Sequence, residues 1–197
     1  MHRPTVDHFY AVKRIFRYVK GTLDHGRPAQ PLNLYGYSDA DWAGCPFDRR
    51  STTGYCIFLG PNVVSWCAKK LPTVSRSSAE AEYRSLASAA AEVTWLQFLL
   101  RDLGVYISQP TTLLCDNISA TYMAHNPVFH ARTKHIEIDY HFVREKVASR
   151  ALRVIYVSFQ SQLADIFTKA LAKDRFHWLR SKLTVAKHRH STCCLLY

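Results

Sequence analysis

Asp39, Glu82, Asp116 and Asp165 are the residues of this 197-residue chain best placed to do chemistry together. Asp39 and Asp116 each close an apolar, strand-like run: Leu32 to Ser38 before the first, Thr111 to Cys115 before the second. Glu82 falls in the first turns of a long helical pattern, and Asp165 early in a late one. In a mixed α/β sheet, strand ends near a helical crossover are where sites assemble. Four carboxylates brought together there repel strongly and need cations to stay ionised. Hard oxygen donors favour magnesium or manganese over zinc. Two such ions about 3.5–4 Å apart are the usual device for phosphodiester hydrolysis, one activating a water and the other stabilising the leaving oxygen. Spacing alone leaves the alternative open, because most Asp and Glu are simply solvated surface groups.

The elements that must position these acids follow from periodicity. Asp7 to Lys20 reads as a helix with Phe9, Val12, Ile15, Phe16 and Val19 on one stripe, and Gly21 as its stop. His25 to Gln30 reads as a linker. The run Leu32 to Ser38, then Tyr55 to Leu59, then Val63 to Cys67, with Gly60-Pro61-Asn62 between the last two, predicts an antiparallel meander. Ser77 or Ser78 caps a long Ala-rich helix running to about Leu103, with Gly104 beyond it. Further elements are a strand over Thr111 to Cys115, helices over Asn117 to His125 and Lys134 to Ser149, and a strand over Leu152 to Val157. Helices over Gln162 to Leu171 and Asp174 to Leu183 complete the chain. A meander joined to parallel strands by helical crossovers makes an α/β fold: a five-stranded mixed sheet with helices on both faces.

Composition narrows the partners. The formal charge is +11, from 26 Lys and Arg against 15 Asp and Glu, which favours a polyanion: DNA, RNA or an anionic membrane surface. Hydrophobic residues make up 48%, interrupted regularly by turns, which is globular composition. No apolar run approaches the roughly 18 residues of a membrane span, and Met1 to Thr5 lacks a signal-peptide core, so an intracellular protein is expected, in a cytoplasmic particle or the nucleus. The six cysteines, Cys45, Cys56, Cys67, Cys115, Cys193 and Cys194, form no Cys-x-x-Cys pair, which argues against a zinc ribbon. The spacing of His130, His135 and His141 matches no zinc template either.

An ordered set of segments carries a resemblance. Tyr37-Ser38-Asp39-Ala40-Asp41-Trp42-Ala43-Gly44 and Arg49-Arg50-Ser51-Thr52-Thr53-Gly54-Tyr55 are followed by Ser65-Trp66 and Lys69-Lys70. Ser75-Arg76-Ser77-Ser78-Ala79-Glu80-Ala81-Glu82-Tyr83 comes next, then Cys115-Asp116-Asn117. Arg132-Thr133-Lys134-His135-Ile136 with Tyr140 to Glu145, and Gln162-Leu163-Ala164-Asp165-Ile166-Phe167-Thr168-Lys169, close the set. From about Pro4 to Leu183 the chain resembles the RNase H domain of copia-type retrotransposon polyproteins. The resemblance implies an RNase H-like fold and cleavage of the RNA strand of an RNA–DNA hybrid, with two divalent cations, magnesium or manganese. It implies Asp39 rather than Asp41 as the first acid, since Asp39 directly follows the predicted strand, and Glu82 rather than Glu80 as the second. Glu80 and Glu82 point in different directions on a helix, so only one faces a site easily. Asp116 and Asp165 complete the catalytic, metal-holding set.

Other expectations follow from the same resemblance. Many RNase H enzymes place a histidine in a loop before the last acid; Val157 to Gln162 contains none, and His135 is the nearest alternative. Lys13 to Thr22 is similar to the end of a reverse transcriptase region, the polymerase signature itself is absent, and that region of the same polyprotein is an expected partner. The expected organisation is 1–30 reverse transcriptase end and linker, 31–172 RNase H domain, and 173–197 C-terminal helix and divergent tail. Candidate contacts to the nucleic acid are Lys69, Lys70, Arg76, Asn117, Arg132, Lys134 and Lys169, with backbone groups near Ala40 to Gly44 reading the 2′-hydroxyl. Two rivals are an inactive nucleic-acid-binding remnant and an integrase-type transposase; integrases order their acids Asp, Asp, Glu, whereas here the Glu comes second. Nothing in the sequence indicates an oligomeric state.

Overall fold

The computed structural model describes residues 32–126 and 136–183. The predicted helix over residues 7–20, the linker after it, and the tail beyond Leu183 lie outside the described residues. Strands β1 (Leu34–Asp41), β2 (Thr52–Leu59) and β3 (Asn62–Lys70) form the meander, with Gly60 at φ +57° in the tight β2–β3 connection. Helix α1 (Ser78–Asp102) leads to β4 (Thr111–Cys115), then α2 (Ile118–His125), α3 (Glu137–Ala148) and β5 (Leu152–Tyr156). A 3₁₀ turn (Phe159–Ser161), the single turn α4 (Asp165–Thr168) and α5 (Lys173–Lys182) follow.

The sheet order is β3-β2-β1-β4-β5, with β1–β2 and β2–β3 antiparallel and β1–β4 and β4–β5 parallel. Because parallel neighbours require crossovers, α1 and the α2–α3 pair carry the chain back across one face. Alternation along β2 divides the core. Ile57 faces α1, α2 and α3, packing with Leu86, Leu113, Val143 and Val154. Cys56 and Phe58 face the other way, onto Leu163, Leu179 and Leu183. Helices therefore cover both faces, as the pattern of runs predicts.

Several boundaries differ from the sequence reading: the first strand begins at Leu34 rather than Leu32, and the second begins at Thr52 rather than Tyr55. The first strand continues two residues past Asp39, because its antiparallel partner persists to Asp41↔Thr52. Its parallel partner stops earlier, at Ser38↔Cys115, so from Asp39 onward β1 is paired on one side only. The third strand continues past Cys67 to Lys70 for the same reason of partner length. The helix expected over Gln162 to Leu171 is only the turn Asp165–Thr168. Buried Gln162 donates from Nε2 to the Ser38 carbonyl (2.9 Å) and accepts from the Ala164 N–H (3.2 Å), anchoring the chain to β1 instead of entering a helix. Lys169 is extended (φ −119°, ψ 144°), which ends the turn.

Candidate metal centre

Each of the four acids reaches one end of the sheet from a different element. Asp39 sits on β1 where the parallel pairing has ended, and is fully buried. Asp116 follows β4 directly, beside it. Glu82 comes from the second turn of α1, whose placement is fixed by Ser85: its hydroxyl donates to the carbonyls of Asp39 (2.8 Å) and Gly54 (3.1 Å). Asp165 opens α4, which packs onto β2 at Gly54. A Cβ at position 54 would stand 2.7 Å from Thr168 Cγ2 and 2.9 Å from Phe167 Cβ, so only glycine admits this approach without a shift.

Carboxylate oxygens of Asp39, Asp116 and Asp165 all lie within 4.8 Å of one another, as do donor atoms of Glu82, Cys115 and Asp116. Burial, then the nearby Asp39 and Asp116, pushes the Glu82 carboxyl up to about 9, against a backbone hydrogen bond from Ala40. Burial also raises Asp39, opposed by the Thr168 hydroxyl and Lys169. The Cys115 thiol is raised by burial and by Glu82, so it stays a neutral thiol beside the cluster.

Two cations touch one half of the cluster. Lys169 Nζ lies 3.0 Å from Asp39 Oδ1 and 2.5 Å from Asp165 Oδ1, and Arg175 Nη2 lies 3.3 Å from Asp165 Oδ2. Burial disfavours the Lys169 ammonium, but the Asp165 and Asp39 carboxylates outweigh it and raise its pKa. Asp39 also accepts from the Thr168 hydroxyl through Oδ2. On the other half, Asp116 Oδ1 is buried with no hydrogen-bond partner.

No family model matches the chain. It is 50% identical over 190 residues to the Retrovirus-related Pol polyproteins from transposons RE2 and RE1 of Arabidopsis thaliana, covering 95% of this chain and 13% of each relative. It is 37% identical over 180 residues to the corresponding polyprotein from transposon TNT 1-94 of Nicotiana tabacum, covering 89% of this chain and 13% of that one. This chain is a homologue of plant retrotransposon Pol polyproteins. It spans about an eighth of the length of these curated relatives. Among solved structures it resembles the N-terminal RNase H domain of rv2228c from Mycobacterium tuberculosis, with a TM-score of 0.51 at 13% identity, covering 76% of this chain and 97% of that one. It also resembles LC11-RNase H1, solved in complex with an RNA/DNA hybrid, with a TM-score of 0.51 at 12% identity, covering 69% of this chain and 94% of that one. The fold of this Pol homologue is RNase H-like.

An unpartnered, buried carboxylate oxygen among three further carboxyl groups is the donor set of a hard divalent cation, and the cluster is able to bind one. The neighbouring acids of each pair are engaged elsewhere. Glu80 accepts from the Arg76 N–H (2.8 Å) and pairs with Arg84 (2.9 Å), while Ser77 Oγ accepts from the Glu80 N–H (3.2 Å), so Glu80 serves the helix start. Asp41 folds back on Gly44, where an added Cβ would overlap its carboxylate.

The candidate nucleic-acid contacts divide. Lys69, Lys70 and Arg76 are exposed. Lys70 Nζ is bonded to Asp48 (2.8 Å) and to Cys45 Sγ (2.9 Å). Lys169 Nζ bonds Asp39 and Asp165 in the acid cluster. Asn117 caps α2, accepting from the Ala120 N–H through Oδ1 (2.9 Å). Backbone donors near Ala40 to Gly44 are used internally: Ala40 bonds Glu82, Ala43 bonds Ser51 Oγ (3.0 Å), and Gly44 bonds the Asp41 carbonyl (3.4 Å). Arg132, Lys134, His130 and His135 lie outside the described residues. Sequence reasoning passed over Ser85, Gln162, Thr168 and Arg175. Thr168, sitting directly before Lys169 and three residues after Asp165, was the only one with a local signal.

Proposed function

We propose that this chain is the ribonuclease H segment of a copia-type retrotransposon polyprotein, hydrolysing the RNA strand of RNA–DNA hybrids with two divalent cations, magnesium or manganese. The observation that carries the reading is the convergence of Asp39, Glu82, Asp116 and Asp165 from four separate elements, one oxygen of Asp116 lacking any protein partner. The same fold in a solved RNase H1 that holds an RNA/DNA hybrid, and homology to Pol polyproteins, support the substrate class.

Asp39, Glu82, Asp116 and Asp165 would hold the ions, which when bound supply an activated water and stabilise the leaving oxygen. The chain's own residues do the rest. Asp39 is oriented by the Thr168 hydroxyl, and Asp165 by Arg175, itself held by the carbonyls of Gln160 (2.6 Å) and Phe159 (2.9 Å). Glu82, whose pKa is pushed up to about 9 by burial and by Asp39 and Asp116, would have to lose its proton to hold a cation. The Asn117 amide nitrogen, without a partner among the described residues, is a donor for the sugar edge. Lys69 and Arg76 offer cations to the phosphate backbone.

Replacing Asp116 by Asn tests this reading. Hybrid binding persists, while magnesium-dependent cleavage of the RNA strand falls by at least about a hundredfold, the upper end of what disturbing a ligand's outer partner already costs. Wild-type protein that binds hybrid and never cleaves it, across a magnesium and manganese titration, would instead establish the inactive remnant.

A further inference from the structure

The two halves of the acid cluster are charged differently by the chain itself. Among the described residues no Lys or Arg bonds to Glu82 or Asp116, whereas Lys169 bridges Asp39 and Asp165. Its ammonium sits between carboxylate oxygens of two members of the Asp39–Asp116–Asp165 group that could share a divalent cation. Magnesium requires its oxygen ligands at about 2.0–2.1 Å, too close to leave an ammonium in the same gap. We propose that Lys169 is a resident counter-cation that a divalent ion must displace, so that the Glu82–Asp116 half loads first and the Asp39–Asp165 half loads second and more weakly. This rests on the metal-dependent reading above.

Geometry makes the displacement feasible. The backbone of Lys169 is fixed, since its N–H donates to the Asp165 carbonyl (3.0 Å) at the end of α4. The side chain is long and its relative exposure is 38%, so the ammonium can swing into water while the stem stays packed. Arg175 is different. It is tied to two carbonyls of the 3₁₀ turn and stacks over Trp178 at 4.9 Å, so it stays on the outer oxygen of Asp165 while Lys169 leaves the inner ones.

Calorimetric titration of the full chain with manganese, in the absence of nucleic acid, reads this directly. Wild type gives two binding events of unequal affinity. K169M tightens the weaker event by about tenfold or more, the scale of metal-affinity changes seen when a ligand's outer partner is altered, and leaves the stronger event in place. In chelator the same variant melts at a lower temperature, because Asp39 and Asp165 lose their counter-cation. K169R restores the wild-type isotherm, and K169Q stands in for K169M if the latter does not fold. A merely structural lysine predicts the opposite metal result: looser or unchanged binding in both neutral variants, which overturns the proposal while the metal-dependent reading stands. Wild type that binds no manganese overturns both.

Discussion

At Glu82 a carboxyl group is held where its charged form is disfavoured. It is buried, it faces Asp39 and Asp116, and its pKa rises to about 9 from an ordinary value near 4.5. The sign of the consequence follows from proton counting. Between those two values the folded chain keeps the Glu82 proton and the unfolded chain has lost it, so stability falls as pH rises. Asp39 is shifted in the same direction and adds to the slope. In chelator, the melting temperature is therefore higher at pH 5 than at pH 8. E82Q, which keeps the shape and removes the ionisation, melts higher than wild type at pH 8 and shows a shallower pH slope. An E82Q slope equal to that of wild type would show that another group carries the effect. Glu80, two residues earlier, gives a contrasting result. E80A removes the bond from the Arg76 N–H and the pair with Arg84, costing about 0.5–2 kcal/mol as other lost N-terminal caps do. It leaves manganese binding unchanged.

Elements position these residues through contacts of very different sequence range, and that decides what the sequence discloses. The order of strands and helices is local information: alternation in Tyr55 to Leu59, the Ala-rich stripe of α1 and the Ser77 cap are each readable within a dozen residues. The four acids become readable as one set only through the ordered motifs around them. What holds them is not local. Gln162 reaches Ser38 across 124 residues of chain, Thr168 reaches Asp39 across 129, and Lys169 reaches Asp39 across 130. No periodicity encodes such pairs, so the helical pattern of Gln162 to Leu171 hides the amide that Gln162 spends on β1, and nothing local to Lys169 discloses its bond to Asp39. Gly54 is the clearest element-scale device. G54A places a Cβ 2.7 Å from Thr168 and 2.9 Å from Phe167. Overpacking of this kind costs about 1–3 kcal/mol, and the relief available is movement of α4 away from β2. G54A should therefore lose both stability, by denaturant unfolding, and manganese affinity, by calorimetry. Loss of stability with unchanged affinity would mean that the sheet, not α4, absorbs the strain.

Over the whole molecule the +11 formal charge coexists with a concentrated patch of acids, so the proposed polyanionic substrate would have to be attracted by residues outside the cluster. Register places Lys69 and Lys70 opposite Thr53 and Thr52, which in turn pair with Ala40 and Asp41, two strands from the Asp39 end of β1. Their availability differs. Lys69 is exposed, whereas the Lys70 ammonium is bonded to Asp48, whose carboxyl is held below its usual range chiefly by that lysine. Each phosphate contact contributes about −0.9 to the slope of log affinity against log salt. Filter binding of an RNA–DNA hybrid to the D116N protein, which removes cleavage from the measurement, then separates the two lysines. K69Q lowers the magnitude of the slope by about one, and K70Q by clearly less, because the hybrid must compete with Asp48 for that ammonium. The D48N variant reverses the second result: with its partner neutralised, Lys70 turns to the phosphates, the slope steepens, and adding K70Q now costs as much as K69Q. Equal losses from K69Q and K70Q in the presence of Asp48 would show that the Asp48 pair does not restrain Lys70 at all.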